Sequence, residues 1–183
     1  MKSIGLKRKT VKLVQHNPQW KKLFKVEEKR LKEGFRDWIL GYDVEIKHIG
    51  STAIPGINAK PIIDILIGVK SKDKEDIHWT QGSLEKLGYT LIPQACEEDK
   101  LFFALGNDAR RTHHVHVTVY DNHYWKNDLM FRDYLRSHHD VAKKYDKLKK
   151  ELSKRYSNDR TSYTKNKEPF IQSVLDKARG EVK

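Results

Sequence analysis

Residues 62–69, IIDILIGV, constrain this chain more than any other stretch. Their length and β-branched content are those of a buried strand, yet the run carries a single carboxylate. An ionised Asp in apolar surroundings is costly unless a cation or a hydrogen-bond donor meets it. Asp64 therefore needs a partner, and any fold of this chain has to bring one to it.

The residues just ahead say what kind of partner. In HIGSTAIPGINAKP, Gly50 and Ser51 stand at a turn past a strand, where a missing side chain lets backbone N–H groups approach an anion and a hydroxyl can donate to a phosphate oxygen. Twelve residues separate Ser51 from Asp64. A strand ending in Gly-Ser, a short passage and an acid on the adjacent strand place phosphate donors and a divalent-cation ligand at one end of a sheet. That pairing supports phosphoryl or nucleotidyl transfer, with Asp64 and Ser51 as the catalytic candidates. The same residues also suit a structural role, the acid paired with an Arg or with backbone N–H groups while Gly50 and Gly56 shape a turn.

Periodicity and punctuation supply the other elements. TVKLVQH, residues 10–16, alternates as a short strand. Pro18 then opens a helix across residues 20–40, in which Trp20, Phe24, Leu31 and Phe35 recur at helical spacing. DVEIKHIG reads as a strand with Val44, Ile46 and His48 on one face, IIDILIG as the next, and residues 73–88 as a helix ended by Gly88. YTLIP, KLFFALG and HHVHVTVY are three further strands, the first two joined by the acidic loop QACEED. From about residue 121 the pattern is helical: residues 122–139, residues 140–156, and one last helix from Asn158 or Asp159. The expected fold class is α+β, a mixed β-sheet flanked by helices with a helical C-terminal region, in a single domain over 1–183.

Composition narrows the partners. One cysteine, Cys96, can staple nothing, and no apolar leader or membrane-length run is present, so the expected location is the cytoplasm, with no membrane partner. The formal charge of +12 is uneven: between Lys143 and Lys183, thirteen Lys or Arg stand against six Asp or Glu. That region invites an anionic partner, nucleic acid or a polyphosphate, although the charges equally suit a solvated helix face.

HIGSTAIPGINAKPIIDILIGV, HHVHV, FRDYLR, the spaced Tyr145 and Lys149 of AKKYDKLKKEL, and DRTSYTKNKEPFI follow one another in an order that resembles the GrpB family over nearly the whole chain. That family is similar to the nucleotidyltransferase superfamily of DNA polymerase beta, whose pattern is Gly-Gly or Gly-Ser, a short spacer, then Asp-x-Asp or Asp-x-Glu on a strand. The resemblance implies a nucleotidyltransferase-like sheet with flanking helices. In that reading Gly50 and Ser51 bind a nucleoside triphosphate and Asp64 holds Mg²⁺ or Mn²⁺. One position departs from the pattern: Leu66 stands where the second acid would be, on the same strand face as Asp64.

Imidazoles could replace that acid. His114 and His116 share a face by strand alternation, and His48 lies on the strand delivering Gly50. With Asp64 they would make a site preferring Zn²⁺, Mn²⁺ or Fe²⁺ to Mg²⁺, unless they only hydrogen-bond to neighbours. Lys60 could neutralise a phosphate or mark the strand entrance as a surface charge. Arg132 and Arg136, four apart on one helix face, suit a polyphosphate or an ion pair with Asp133. Tyr163 and Lys167 repeat that spacing, offering a ring to stack on a base beside a charge, or plain packing. Three functions share these residues: a nucleotidyltransferase-like enzyme with an unknown acceptor, a catalytically degenerate nucleotide- or RNA-binding module, and a metal-dependent hydrolase of a phosphorylated small molecule.

Overall fold

The computed structural model describes residues 4–36, 43–71 and 74–181. The first strong periodicity becomes helix α1, Gln19–Arg36, which buries Trp20, Phe24, Leu31 and Phe35. Residues 37–40, the expected end of that helix, lie outside the described residues. The strands are β1 Val44–Ile49, β2 Ile63–Val69, β3 Tyr89–Leu91, β4 Lys100–Asn107 and β5 Arg110–Val119, in spatial order β1-β2-β5-β4-β3. β2 and β5 pair in parallel and the other neighbours antiparallel, so the sheet is mixed.

TVKLVQH does not join this sheet. Val11 donates to the Ser157 carbonyl, while Val14 and Ala59 exchange bonds at 2.9 and 3.0 Å. The alternation of that segment is thus divided between two different partners, and only an isolated bridge results.

Strand alternation sorts the sheet into two faces. Ile63, Ile65 and Ile67 join Val115, Val117, Leu101 and Phe103 on one face, under α1 and under Ile77 and Leu84. Ile77 and Leu84 come from a segment expected as one helix over 73–88, its first residue outside the described ones. The segment is a 3-10 helix, Lys74–Trp79, followed by α2, Thr80–Lys86. Gly88 stops it at φ 81, a conformation that costs glycine little.

Asp64, Leu66, His114 and His116 lie on the opposite face, where the C-terminal helices gather. These are α3 His123–Ser137, α4 His139–Arg155, α5 Arg160–Lys165 and α6 Glu168–Glu181. Asn122 and Asp159 cap α3 and α5 by accepting backbone N–H groups at 3.0 Å. The one terminal helix expected from Asn158 or Asp159 is therefore two. Pro169 has no N–H to extend the helical ladder, so the chain turns at Asn166 and Lys167 and Pro169 takes a place in the first turn of α6.

Ile54 and Ile57, from the connection between β1 and β2, pack among Tyr134, Leu135, Tyr145 and Val174 of these helices. The helical region and the Gly50–Ser51 turn are consequently held as one packed unit. Among the described residues no helix is long and apolar enough to cross a membrane.

Candidate functional site

The antiparallel register places Ile49 opposite Asp64, so Gly50 and Ser51 leave β1 beside the carboxylate. Gly50 has φ 66 and ψ −173, a combination that a side chain disfavours. A Cβ there would stand 2.5 Å from Asp64 Oδ2. Glycine is required both by the turn and by the approach of the acid. Ser51 opens the short 3-10 helix Ser51–Ala53, and its side chain is hydrogen-bonded with the Tyr145 hydroxyl of α4.

Arg132 and Arg136 hold this turn from α3. Arg132 Nη1 donates to the His48 carbonyl at 3.0 Å, and Arg136 donates through Nε and Nη2 to the Ala53 carbonyl at 2.9 and 2.8 Å. Asp133 accepts from both guanidinium groups. Their four-residue spacing does align them, as expected. Their donors, however, are spent on backbone carbonyls on either side of Gly50 and on Asp133, which corrects the expectation that they face a polyphosphate.

The parallel register sets His114 opposite Asp64 and His116 opposite Leu66. His114 Nδ1 lies 2.9 Å from Asp64 Oδ1, and its Nε2 lies 3.2 Å from Arg160 Nη2. A guanidinium only donates, so Nε2 accepts and Nδ1 carries the proton given to Asp64. The ring is neutral: burial pushes its pKa down to about 4, against the pull of Asp64. Burial by itself would raise the Asp64 pKa. The His114 hydrogen bond, followed by the field of Lys60, outweighs it and holds the carboxyl well below the usual carboxylate range.

His48 is not on this face. The register pairs it with Ile65, its ring stacks on Phe24 at 4.7 Å, and its Nε2 lies 3.0 Å from Thr52 Oγ1. This corrects its expected place beside Asp64. His116 does share the Asp64 face, and its buried Nδ1 has no hydrogen-bond partner among the described residues. Among those residues no three His, Cys, Asp or Glu side chains are grouped so as to hold a metal ion.

Cations dominate what surrounds Asp64. Lys60, Lys149, Arg160 and Lys167 line with it a cavity of about 1070 Å³. Burial, then the nearby Arg160 and Lys167, lower the Lys60 pKa well below its ordinary value. Burial likewise brings Lys149 down to about 7 and Lys167 to about 8. The Lys60 and Lys167 ammonium groups sit 5.5 and 4.9 Å from the centre of the Tyr163 ring. Tyr163 is 1% exposed and packs with Val11 and Leu152, so its ring braces two cations and is closed to a stacking base, which corrects that expectation.

Sequence reasoning passed over Arg160, Lys149 and Asp128 as site residues. Arg160 and Lys149 belong to the strings DRTSYTKNKEPFI and AKKYDKLKKEL but carried no local mark of a role. Asp128 comes from α3 and also lines the cavity, its pKa raised chiefly by burial and in part by Asp64. No sequence signal placed it there.

The family model described as GrpB protein matches residues 10–177. The chain belongs to the GrpB family. It is 39% identical to the glutamate-rich protein GrpB of Alkalihalophilus pseudofirmus, over 94% of this chain and 98% of that one. The crystal structure of the conserved protein GrpB from Enterococcus faecalis superimposes with a TM-score of 0.80 at 30% identity, covering 93% of this chain and 99% of that one. The structure of a GLD-2/RNP-8 complex gives a TM-score of 0.54 at 13% identity, covering 88% of this chain and 60% of that one. At that identity the likeness concerns the fold alone. The GrpB fold here is the expected α+β fold, a mixed five-stranded sheet flanked by helices.

Proposed function

We propose that this GrpB chain binds a nucleoside triphosphate and transfers its nucleotidyl group to an acceptor. The observation that carries the reading is the crowding of Lys60, Arg160 and Lys167 around one carboxylate beside a glycine turn, in a cavity that Lys149 also lines. Cations that depress one another's pKa are short of negative charge, and a polyphosphate supplies it. Gly50 backbone and the Ser51 hydroxyl would cradle phosphate oxygens, and Lys60 and Lys167 would balance their charge.

The donor set fits a hard cation such as Mg²⁺ or Mn²⁺, which is commonly held by one or two carboxylates together with substrate phosphates. Asp64 would be its main protein ligand, and the bound ion would offset charge developing at the phosphorus. A histidine-rich Zn²⁺ or Fe²⁺ site fits poorly. His114 has both ring nitrogens engaged and His48 faces the other side of the sheet.

One observation favours a second reading, a nucleotide binder without chemistry. Leu66, in the place of the second acid, is fully buried against Ile49 and Trp125 and supplies no second carboxylate. RNA is the macromolecular partner in that case, met by the exposed Lys143, Lys147, Lys154 and Arg155 of α4. We place either activity in the cytoplasm.

Purified protein incubated with each nucleoside triphosphate and Mg²⁺ or Mn²⁺, followed by mass spectrometry, decides between them. Pyrophosphate together with a nucleotidylated product supports transfer. Binding without turnover supports the binder, and orthophosphate release from a phosphate ester supports hydrolysis. Failure to bind any triphosphate overturns the nucleotide reading.

A further inference from the structure

Two further cations, Arg8 and Arg111, enter the same cavity beside Arg160. Leu6 and Arg111 exchange backbone hydrogen bonds at 2.9 Å in both directions, and the Arg8 N–H donates to the Asp108 carbonyl at 2.8 Å. This zips the N-terminal segment onto the start of β5 and sets Arg8 beside Arg111. Both side chains line the cavity together with Arg160. Arg111 is only 8% exposed, and its buried Nε has no hydrogen-bond partner among the described residues.

The counter-charge there is thin. Asp108 faces Arg8 at 3.2 Å and Arg111 at 3.5 Å, and its carboxylate is mostly in solvent. Burial, with Arg8 adding to it, lowers the Arg111 pKa, and Asp108 does not restore it. Arg160 feels both Arg8 and Arg111 as repulsive neighbours. A buried guanidinium with an idle N–H is costly unless an acceptor arrives.

We propose that Arg8, Arg111 and Arg160 form a second anion subsite, built for the terminal phosphate of a small molecule. Guanidinium forks match phosphate oxygens in pairs, and an enclosed arginine suits a phosphate end better than a polymer backbone. Arg111 precedes His114 by three residues along β5, so Arg8 and Arg111 extend the cationic lining of the cavity beyond the Asp64–His114 pair. The ligand is either a phosphorylated acceptor or the distal phosphate of an extended nucleotide. The subsite stands or falls independently of whether a nucleotide binds at Gly50.

The test is isothermal titration at constant ionic strength of wild type, Arg111→Gln and Arg8→Gln with inorganic phosphate, AMP and ATP. Arg8 is partly exposed, so Arg8→Gln keeps the test open should Arg111→Gln fail to fold. The expected result is a tenfold or greater loss of phosphate affinity in Arg111→Gln and a several-fold loss in Arg8→Gln. If ATP and AMP affinities are unchanged in the variants, the phosphate belongs to a separate acceptor. If ATP weakens, AMP does not, and phosphate competes with ATP, it belongs to the nucleotide. Phosphate binding that depends on Arg8 or Arg111 while wild type binds no nucleotide upholds the subsite and overturns only the nucleotide reading. Equal phosphate affinity in wild type and the folded variants, or binding no tighter than chloride, overturns the proposal.

Discussion

His114 lies between Asp64 and Arg160, its Nδ1 2.9 Å from the carboxylate and its Nε2 3.2 Å from the guanidinium. The contact joins β2, β5 and α5 through one neutral ring. It fixes the direction of the Asp64 carboxylate, since Oδ1 is held by the ring while Oδ2 looks toward Gly50. The acid is thus ionised, oriented and surrounded by cations before any ligand arrives.

Gly50→Ala should be severe. The new Cβ would meet Asp64 Oδ2 at 2.5 Å in a backbone region that strains any side chain. Strain of about 1–3 kcal/mol plus the displaced acid corresponds to a fall in Tm on the order of 5–10 °C, with loss of pyrophosphate binding. Calorimetry with and without pyrophosphate checks both effects, and an Ala variant melting with wild type would mean that the turn does not keep this geometry.

Asp64→Asn keeps the shape and the hydrogen bond from His114 but leaves Lys60, Arg160 and Lys167 without their carboxylate. A loss of about 3 kcal/mol in the absence of ligand is expected. Pyrophosphate without metal should then stabilise the variant more than wild type, because the anion replaces the missing charge, while any further gain from Mn²⁺ disappears. Thermal midpoints in the four ligand combinations measure this. A variant that still gains from Mn²⁺ would show that Asp64 is not the cation ligand.

Acid sensitivity should begin well above the carboxylate range. Burial lowers His48 and His114 to about 4 and His116 to about 3. The unfolded chain takes up these protons near pH 6.5, so the histidines' contribution to folded stability is complete above that pH and is lost as pH falls toward 4. Three such groups give a slope of up to about 4 kcal/mol per pH unit, and His16 and His113 shift in the same direction. Asp64, whose pKa is depressed, contributes loss only below the ordinary carboxylate pKa. Tm measured from pH 7.5 to 5 should fall steeply, and a flat profile would contradict the buried neutral histidines.

Anion binding should take up protons. Lys149 and Lys167 titrate at about 7 and about 8 in the free protein, and a bound polyphosphate favours their charged forms. Affinity for pyrophosphate should accordingly weaken as pH rises from 7 to 9, with roughly one proton absorbed per ligand near pH 8. Titration calorimetry in buffers of different ionisation enthalpy reads the proton count directly, and a buffer-independent enthalpy would place both lysines outside the anion's field.

The sequence by itself determined the strand that carries Asp64, its need for a partner, the Gly-Ser turn before it, and the shared face of His114 and His116. Each of these follows from local rules: apolar run length, glycine freedom, and the period of two along a strand. Alternation does not fix how one strand registers against the next. His48 was therefore read onto the Asp64 face although pairing with Ile65 turns it away. The helix face of Arg132 and Arg136 was legible too, but its partners were not, because the His48 and Ala53 carbonyls they bind lie more than 80 residues away in sequence. Only the tertiary structure decided that Tyr163 is a brace and that Arg160 meets His114, since side chains on helices acquire a role only from what their helix is packed against.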